Sequence, residues 1–411
     1  MALAVDPCRS SPPPVPPREV KVLRSRIGLS RDSLLYHLPR MTPFHRFASH
    51  LLGNIAAPLC LMVSGRCLGD DRILKADLFV GGGDQWAPTA SKSLRLNSPF
   101  GVNFDSQGNA YVIEMTGHRV LKIERHGDVK VLAGNGEKGS GGDGGLGTTA
   151  QVNGPHALAL TREGDLLFAD TFGNRLRAID TRTGIIRAVA GTGVAGFSGD
   201  GGPAVNAQSG GVYGISLDAS ERHLYLTDLD HRRIRRLDLK TGFLITVAGN
   251  GRRGVPTDGS LAVDAPLVDP RSVTVDRKGN LFILERGGNA LRQVDAQGRI
   301  RTVVGRSGQA GFSGDGGDGQ IAQLNGAKDV GMDRDGSVLI ADSDNHSVRR
   351  YNPRSGKISR VAGTGVKGSA GVGGDARECQ LNQPHGVWVH PKTGDIYISD
   401  SSNNRILRLH P

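Results

Sequence analysis

The sequence predicts an all-β fold, a six-bladed β-propeller built from four-stranded blades. The first observation is the abundance of turn residues: the 411-residue chain has 60 glycines, and its short apolar runs end in Gly, Asn or Asp, as in "GDLLFADTFGNRLRAID". That pattern is typical of strands joined by tight turns. The second observation is a sequence repeat of about 57 residues, and the third is that each repeat contains four strand-like segments. Repeated four-stranded units of this length form the blades of propellers.

The repeat is marked by the octapeptide "AGFSGDGG", which occupies residues 195–202 and again residues 310–317. The two copies start 115 residues apart, which is a distance of two repeats. A triplet that opens the first strand of each repeat recurs at spacings of 56 to 58 residues. The triplets are Pro99-Phe100-Gly101, Pro155-His156-Ala157, Val212-Tyr213-Gly214, Pro270-Arg271-Ser272, Ala327-Lys328-Asp329 and Pro384-His385-Gly386. Six regular repeats predict six blades.

A carboxylate ends the second apolar run of each repeat, in step with the triplets. These carboxylates are Glu114, Asp170, Asp228, Glu285, Asp342 and Asp400. Four positions later a polar residue opens the third strand, as in "NRLR" at 174–177, and segments such as "RAVAG" follow as fourth strands. A carboxylate at such a turn can accept backbone N–H groups and pair with an arginine. We therefore expect these six carboxylates to be structural.

The sixth repeat lacks its fourth strand, because the chain stops after the third strand with "NNRILRLHP". A matching segment occurs near the other end of the propeller sequence, in "ADLFVGGGD" at residues 76–84. We expect this N-terminal strand to complete the last blade. The two ends would then lock the ring and leave no sheet edge open.

Residues 1–71 precede the predicted propeller, which covers 72–411. The first part is rich in proline and arginine, a composition that is typical of disorder. Residues 41–69 have a basic start, an apolar stretch from Leu51 to Val63 and small residues after it. This layout indicates a secretory signal peptide, with translation starting at Met41, and the apolar stretch is short for a membrane span. The sequence thus predicts an exported protein (periplasmic, cell-surface or secreted) whose mature chain has no transmembrane segment. The alternative is an amphipathic or buried helix in a cytoplasmic protein.

Charge and cysteine content exclude several protein classes. The net charge of +11 is partly carried by the N-terminal segment, so the propeller itself is only mildly basic and nucleic-acid binding is not expected. Three of the four cysteines precede residue 70, which leaves Cys379 alone in the propeller and excludes a disulfide scaffold or a thiolate zinc site there. The third strands carry arginines that we expect on half-exposed surfaces, paired with acidic turns: Arg175, Arg177, Arg232, Arg233, Arg235, Arg236, Arg349 and Arg350.

Two stretches, "PHALALTREGDLLFADTFGNRLRAID" and "PHGVWVHPKTGDIYISDSSNNRILRL", resemble NHL repeats of the bacterial type. The resemblance covers roughly residues 72–411 and implies a six-bladed propeller. It does not imply one activity, because such propellers include binding domains, lyases and RNA readers.

The octapeptide allows three interpretations. A phosphate-binding loop would need a lysine and a following helix, and neither copy has them. Calcium could use the oxygens of Asp200 and Ser198, or of Asp315 and Ser313, but calcium sites usually gather several carboxylates. The weaker copies contribute Asp143, Asp258 and Asp375. The favoured interpretation is that the glycines supply turns with positive φ between one blade and the next.

In a propeller, the first strands of all blades begin at one mouth of the central channel. The second residues of the six triplets should therefore form one rim, the predicted ligand-binding site: Phe100, His156, Tyr213, Arg271, Lys328 and His385. Arg271 and Lys328 favour an anionic group. His156 and His385 could begin a zinc site, as the similar peptidylglycine amidating lyase implies, but the third histidine of that enzyme is missing. The pattern does not require a cofactor. If the protein binds a metal, Zn or Ca is the possible ion.

Two functional hypotheses follow. In the first, the protein is an exported, monomeric binding or scaffold module whose loop face presents the rim to a protein, peptide or glycan ligand. In the second, it is a lyase or hydrolase acting at the channel mouth on an anionic substrate. Arg271 and Lys328 would then bind the charge, Tyr213 would act as general acid or base, and His156 with His385 would hold a metal or shuttle protons.

Overall fold

The computed structural model describes residues 73–85 and 91–411. The predicted disordered segment and signal peptide, residues 1–71, lie outside the described residues. Six antiparallel sheets are present in the described part of the chain, and this arrangement confirms the predicted all-β propeller. The helices in the described residues are 3-10 turns, and none of them is long and apolar enough to span a membrane. They are Gly147–Thr149, Thr171–Gly173, Ala204–Asn206, Gly319–Ile321, Ser343–Asn345, Ala376–Glu378 and Ser401–Asn403.

Blades 1 to 5 each contain four consecutive strands in the order first, second, third, fourth from the channel outward. Blade 1 contains β2 (Pro99–Phe104), β3 (Ala110–Glu114), β4 (Arg119–Ile123) and β5 (Val129–Ala133). Blade 2 contains β6 (Pro155–Leu160), β7 (Asp165–Asp170), β8 (Arg175–Asp180) and β9 (Ile186–Ala190). Blade 3 contains β11 (Val212–Leu217), β12 (His223–Asp228), β13 (Arg233–Asp238) and β14 (Phe243–Ala248), and the short β10 (Gly202–Pro203) pairs with β14.

Blade 4 contains β15 (Pro270–Val275), β16 (Leu281–Glu285), β17 (Ala290–Val294) and β18 (Ile300–Val304). Blade 5 contains β19 (Asp329–Met332), β20 (Val338–Asp342), β21 (Ser347–Asn352) and β22 (Lys357–Ala362). Blade 6 contains β23 (Gly386–Val389), β24 (Ile396–Asp400) and β25 (Arg405–His410), together with β1 (Lys75–Gly81).

The strand β1 lies on the outer edge of blade 6, where the other blades have their fourth strand. It pairs antiparallel with β25, from Lys75 opposite His410 to Gly81 opposite Arg405. The first strands of the blades contact one another in the cyclic order β2, β6, β11, β15, β19, β23 and again β2. The described sheets therefore form a closed ring around a channel.

The hydrophobic core lies between the blades. Each buried cluster combines residues from two neighbouring blades; for example, Val80 and Ile406 of blade 6 pack with Val102 and Leu121 of blade 1. The second strands are covered on both faces, and every residue of β16 and of β20 is buried. This explains why these strands read as continuous apolar runs rather than as alternating ones.

The octapeptide loops make the turns that the glycines predicted. Gly199 and Gly201 have φ of 84°, and Gly314 and Gly316 have φ of 91° and 81°. These loops also wrap around a buried arginine. The guanidinium of Arg349 donates to Asp315 Oδ1 at 3.0 Å and to the backbone carbonyls of Ser313 and Gln323 at 2.8 Å and 2.6 Å.

The same cradle recurs around Arg177 and Arg235, which bind Asp143 and Asp200. The prediction of half-exposed third-strand arginines is therefore wrong for Arg177, Arg235 and Arg349, which are at most 1% exposed. The physical reason is that the glycine-rich loop folds back over the third strand. The loop carbonyls and the aspartate then replace the water that would otherwise solvate the guanidinium.

Candidate ligand-binding site

The structure brings the six predicted rim side chains together at one mouth of the channel. Direct contacts link five of them. The Phe100 ring stacks on His385 with centroids 3.9 Å apart and meets His156 edge-on at 4.9 Å. His156 meets Tyr213 at 4.7 Å, and the guanidinium carbon of Arg271 lies 3.9 Å from the centre of the Tyr213 ring.

Lys328 completes the ring between Arg271 and His385. Its side chain is 8% exposed, and its Nζ atom lies 4.0 Å from Oδ1 of Asp344. Desolvation lowers the pKa of Lys328 to about 8, against the opposing attraction of Asp344. Desolvation likewise lowers the pKa of Arg271 to about 10. Both side chains are still mainly cationic at pH 7, so this half of the rim is positively charged.

The two rim histidines are neutral. The Nδ1 atom of each lies near the backbone carbonyl oxygen two residues earlier, at 2.8 Å for His156 and 3.1 Å for His385. A carbonyl oxygen only accepts, so Nδ1 carries the proton in both rings. Burial lowers the pKa of His156 to about 3, and the charge of Arg271 acts in the same direction. Burial and the charge of Lys328 also lower the pKa of His385.

The rim does not fit a metal bound by both histidines. The Phe100 ring contacts both imidazoles and separates them, and a catalytic zinc normally needs three protein ligands. Within residues 73–85 and 91–411, no group of three or more His, Cys, Asp or Glu side chains could hold a metal ion. In the octapeptide loops, Asp200 and Asp315 bind arginines. The possible Zn or Ca therefore stays a prediction without a ligand set in these residues.

Three more side chains belong to this mouth although the sequence analysis missed them. Phe172 is 47% exposed and contacts His156 and Tyr213 edge-on, with centroids at 5.4 Å and 6.4 Å. Asp344 faces Lys328, and Arg286 is close enough for its charge to lower the pKa of Lys328. A signal was present, because all three follow a second-strand carboxylate by one or two positions.

Asp329 was also missed, and it lies directly below the rim. Its Oδ1 accepts a hydrogen bond from Ser272 Oγ at 2.7 Å, and its Oδ2 accepts one from the backbone N–H of Val387 at 3.1 Å. Burial raises the pKa of Asp329 to about 6. The side chain therefore links the first strands of blades 4, 5 and 6.

A cavity of about 390 Å³ extends from the rim along the channel. Phe100 and His156 line it at one end, and Arg162, Glu221 and Pro391 line it near the hairpins at the other mouth. Between them the wall consists of first-strand residues and includes Asp329. The rim side chains thus separate the loop face from a channel that opens toward the opposite face.

The six second-strand carboxylates lie behind the rim, fully buried. Each accepts a hydrogen bond from a backbone N–H located 17 or 18 residues earlier, as Asp170 does from Asn153 at 2.6 Å. Five also face an arginine, including Glu285 with Arg292 at 2.6 Å, and Asp228 instead contacts His231 at 2.9 Å. This geometry is that of a structural turn, and it holds the segment that leads into each rim residue.

Two family models match parts of the chain: the teneurin NHL domain matches residues 204–312 and the NHL repeat matches residues 381–409. NHL repeat-containing protein 2 of Gallus gallus is 25% identical over 339 residues, which cover 75% of this chain and 46% of that protein. Teneurin-1 of Mus musculus is 33% identical over 109 residues, which cover 23% of this chain and 4% of that protein. The chain thus spans less than half the length of these relatives.

Solved structures show the same architecture at low identity. An auxiliary nutrient binding protein from Bacteroides thetaiotaomicron superposes with a TM-score of 0.60 at 12% identity, covering 82% of this chain and 76% of that one. A streptogramin B lyase superposes with a TM-score of 0.50 at 13% identity, covering 82% and 98%. At such identities the likeness concerns the fold. The catalytic roles of Tyr213, Arg271 and Lys328 stay predictions.

Proposed function

The chain is an NHL-repeat six-bladed β-propeller, and we propose that it is an exported binding module. Its ligand, a protein, a peptide or a glycan, would be held at the channel mouth by the six rim residues. The observation that carries this proposal is the continuous contact from His385 through Phe100, His156 and Tyr213 to Arg271. All six blades contribute to this one surface, and it combines aromatic, imidazole and cationic groups.

The chemistry of the rim favours binding over catalysis. None of its six side chains is a serine, a cysteine or a carboxylate, and its two imidazoles are packed against aromatic rings. Aromatic side chains and arginine dominate the energetics of binding surfaces, because they bury large areas at a low cost in conformational entropy. Phe172, which stands exposed beside the rim, extends this surface outward.

The test compares two phenylalanines of equal exposure. Phe172 at the mouth is 47% exposed, and Phe243 on the outer strand of blade 3 is 46% exposed. Each is replaced by alanine, and the purified chains are screened against a peptide library and a glycan array. We expect a ligand whose affinity falls roughly 10-fold in Phe172→Ala, the effect of losing an aromatic anchor, and is unchanged in Phe243→Ala. The proposal would be rejected by equal losses in both variants or by the absence of any ligand.

Export is the second part of the proposal, and residues 41–69 support it through their basic, apolar and small-residue regions. N-terminal sequencing of the protein recovered outside the cytoplasm provides the test. We expect a mature chain that begins near residue 70. A protein that is retained in the cytoplasm and still begins at Met1 would contradict export without affecting the binding proposal.

A further inference from the structure

Arg271 differs from every other buried arginine of the described chain. The other five have three or more hydrogen-bond partners each, supplied by a carboxylate together with backbone carbonyls or hydroxyl groups: Arg177, Arg235, Arg292, Arg349 and Arg405. Arg271 is only 7% exposed, yet its guanidinium has no hydrogen bond or ion pair with any described residue. A buried charge without a partner is costly, so such a group points to a missing acceptor.

The neighbouring rings restrict where that acceptor can lie. The guanidinium carbon of Arg271 sits 3.9 Å from the centre of the Tyr213 ring, which therefore covers one face of the group. The N–H bonds of a guanidinium lie in its plane and leave through its edges. The Arg271 nitrogens are not among the fully enclosed polar atoms that lack a partner. Part of the guanidinium therefore reaches the solvent at the mouth. The free donors are thus available to a ligand that approaches from the loop face.

Two more cations surround this position. Arg286 is exposed, forms no ion pair with a described residue, and its charge lowers the pKa of Arg271. Lys328 has one carboxylate nearby, Asp344, at 4.0 Å. Asp329 also attracts Arg271, but both of its oxygens already accept hydrogen bonds. The three cations therefore gather on blades 4 and 5, whereas the carboxylate of Asp230 lies on the blade 3 side of the mouth, near Tyr213.

We propose that Arg271 binds an oxyanion of the ligand, a carboxylate or a phosphate group, with Arg286 and Lys328 as flanking cations. This inference rests on the proposed function, since it assigns the chemical group that the same mouth recognises. A guanidinium donates two parallel hydrogen bonds to such a group, and these are among the strongest that a side chain makes. Tyr213 is a positioning residue that holds the guanidinium in place.

Isothermal titration tests the site with small probes at constant ionic strength. Inorganic phosphate and succinate are the two oxyanion probes, and succinamide is the neutral control. We expect at least one oxyanion to bind and succinamide not to bind, and the relative affinities of phosphate and succinate identify the preferred group. Arg271→Met should raise the Kd roughly 10-fold or more, as expected for hydrogen bonds to a charged group.

Matched variants separate recognition from folding. Arg286→Gln changes an exposed side chain that should not affect folding, and we expect the Kd to rise a few-fold. Arg277→Met changes an exposed arginine of the same blade in the hairpin at the opposite mouth, and we expect an unchanged Kd. The oxyanion site would be rejected if neither oxyanion bound, if the Kd were unchanged in Arg271→Met, or if succinamide bound as well as succinate did.

The experiments distinguish a failure of the oxyanion site from a failure of the broader binding proposal. A peptide or glycan ligand that is lost in Phe172→Ala but bound normally by Arg271→Met would reject the oxyanion site and leave the binding module intact. If the ligand bound Phe172→Ala normally and oxyanion binding still depended on Arg271, the proposed binding surface would be rejected and the oxyanion site would be kept.

Discussion

At the scale of single residues, Asp329 occupies a position where the other five triplets have Gly, Ala or Ser. The first strands approach closely there: a Cβ atom on Gly386 would lie 2.2 Å from the carbonyl oxygen of Phe100. Asp329 is accommodated because its carboxylate accepts hydrogen bonds from Ser272 and Val387 on the two neighbouring blades. One side chain thus joins three blades beside the rim.

Replacement of Asp329 by asparagine should change the pH dependence of stability. Burial raises the pKa of Asp329 from 3.8 to about 6 in the folded chain. The folded state therefore binds more protons than the unfolded state between about pH 4 and pH 6, and this contribution to stability falls as pH rises across that window. The amide of the asparagine would keep an oxygen for Val387 and an N–H for Ser272 without the charge.

We expect Asp329→Asn to match or exceed the stability of the wild type above pH 6, by about 1 kcal/mol after allowance for solvent in the channel. The advantage should shrink toward pH 4. Urea unfolding at a series of pH values measures it. Parallel stability curves for the two proteins would contradict the prediction.

Lys328 should make oxyanion binding depend on pH. Desolvation lowers its pKa to about 8, so it loses its charge between pH 7 and pH 9 while Arg271 remains cationic. Succinate is the probe for this test, because both of its carboxyl groups stay ionised over that range, and its Kd should rise about 1.5- to 5-fold, the equivalent of one exposed ion pair. The charged and titratable groups around it are Asp344, Arg271, Arg286, His346 and His385.

The control for this prediction is Lys328→Gln, which removes the titrating group. Its Kd for succinate should be higher than that of the wild type at pH 7 and should not change between pH 7 and pH 9. A wild-type Kd that is constant over the same range would show that Lys328 does not contribute to the site.

At the scale of elements, the octapeptide loop has two tasks. Its glycines adopt positive φ, and its aspartate and carbonyls enclose the third-strand arginine. The Phe312 ring lies 5.6 Å from the Arg349 guanidinium and covers it from outside. The loop therefore fastens the third strand of a blade to the connection that leads into that same blade.

Alanine substitutions at two glycines of one loop distinguish the cost of backbone strain from the cost of a steric clash. A Cβ atom on Gly314 would lie 2.7 Å from Cα of Ala322, whereas nothing lies within 4 Å of a Cβ on Gly316. Both residues have positive φ, so alanine is strained at either site. We expect Gly316→Ala to lower the free energy of unfolding by about 1 kcal/mol, and Gly314→Ala to lower it by roughly 2–4 kcal/mol. Urea unfolding compares them, and equal losses would show that the loop shifts to accept the methyl group.

At the scale of the whole molecule, the outer edge of blade 6 is covered by a strand from the other end of the propeller sequence. β1 pairs with β25, and its Ala76 and Val80 are completely buried in two different clusters. Without β1, the edge of β25 and part of both clusters would be exposed to water. An unpaired edge of this kind also invites aggregation.

Two truncations test this dependence on β1. A chain that begins at residue 73 keeps β1, and we expect its thermal midpoint to stay close to that of the full chain. A chain that begins at residue 91 lacks β1, and we expect a loss of several kcal/mol from exposed apolar area alone, with aggregation or a broad transition. Thermal and urea unfolding measure both. Similar stabilities for the two truncations would mean that β1 contributes little to the ring.

Much of this architecture is predictable from local pattern. The spacing of the triplets identifies the six blades, and the apolar runs identify the strands. The rim residues also follow from the repeat, because equivalent positions in a ring must lie at the same mouth. The burial of Arg177 and Arg349 was not predictable in this way, since it depends on a loop that folds back over a strand more than thirty residues away.

The sequence by itself determined the blade number, the strand order and the six triplet positions that lie at one mouth, but not Phe172, Arg286 and Asp344 beside them. The blade number, the strand order and the triplet positions follow from the repeat, and a regular repeat has one way to close into a ring. Only the tertiary structure decided which of these side chains bond to one another. Asp329 meets Val387 from 58 residues away, and Arg271 has no acceptor among residues 73–85 and 91–411. Such pairings depend on distances of a few tenths of an ångström between neighbouring blades, and those distances are set by packing around the closed ring.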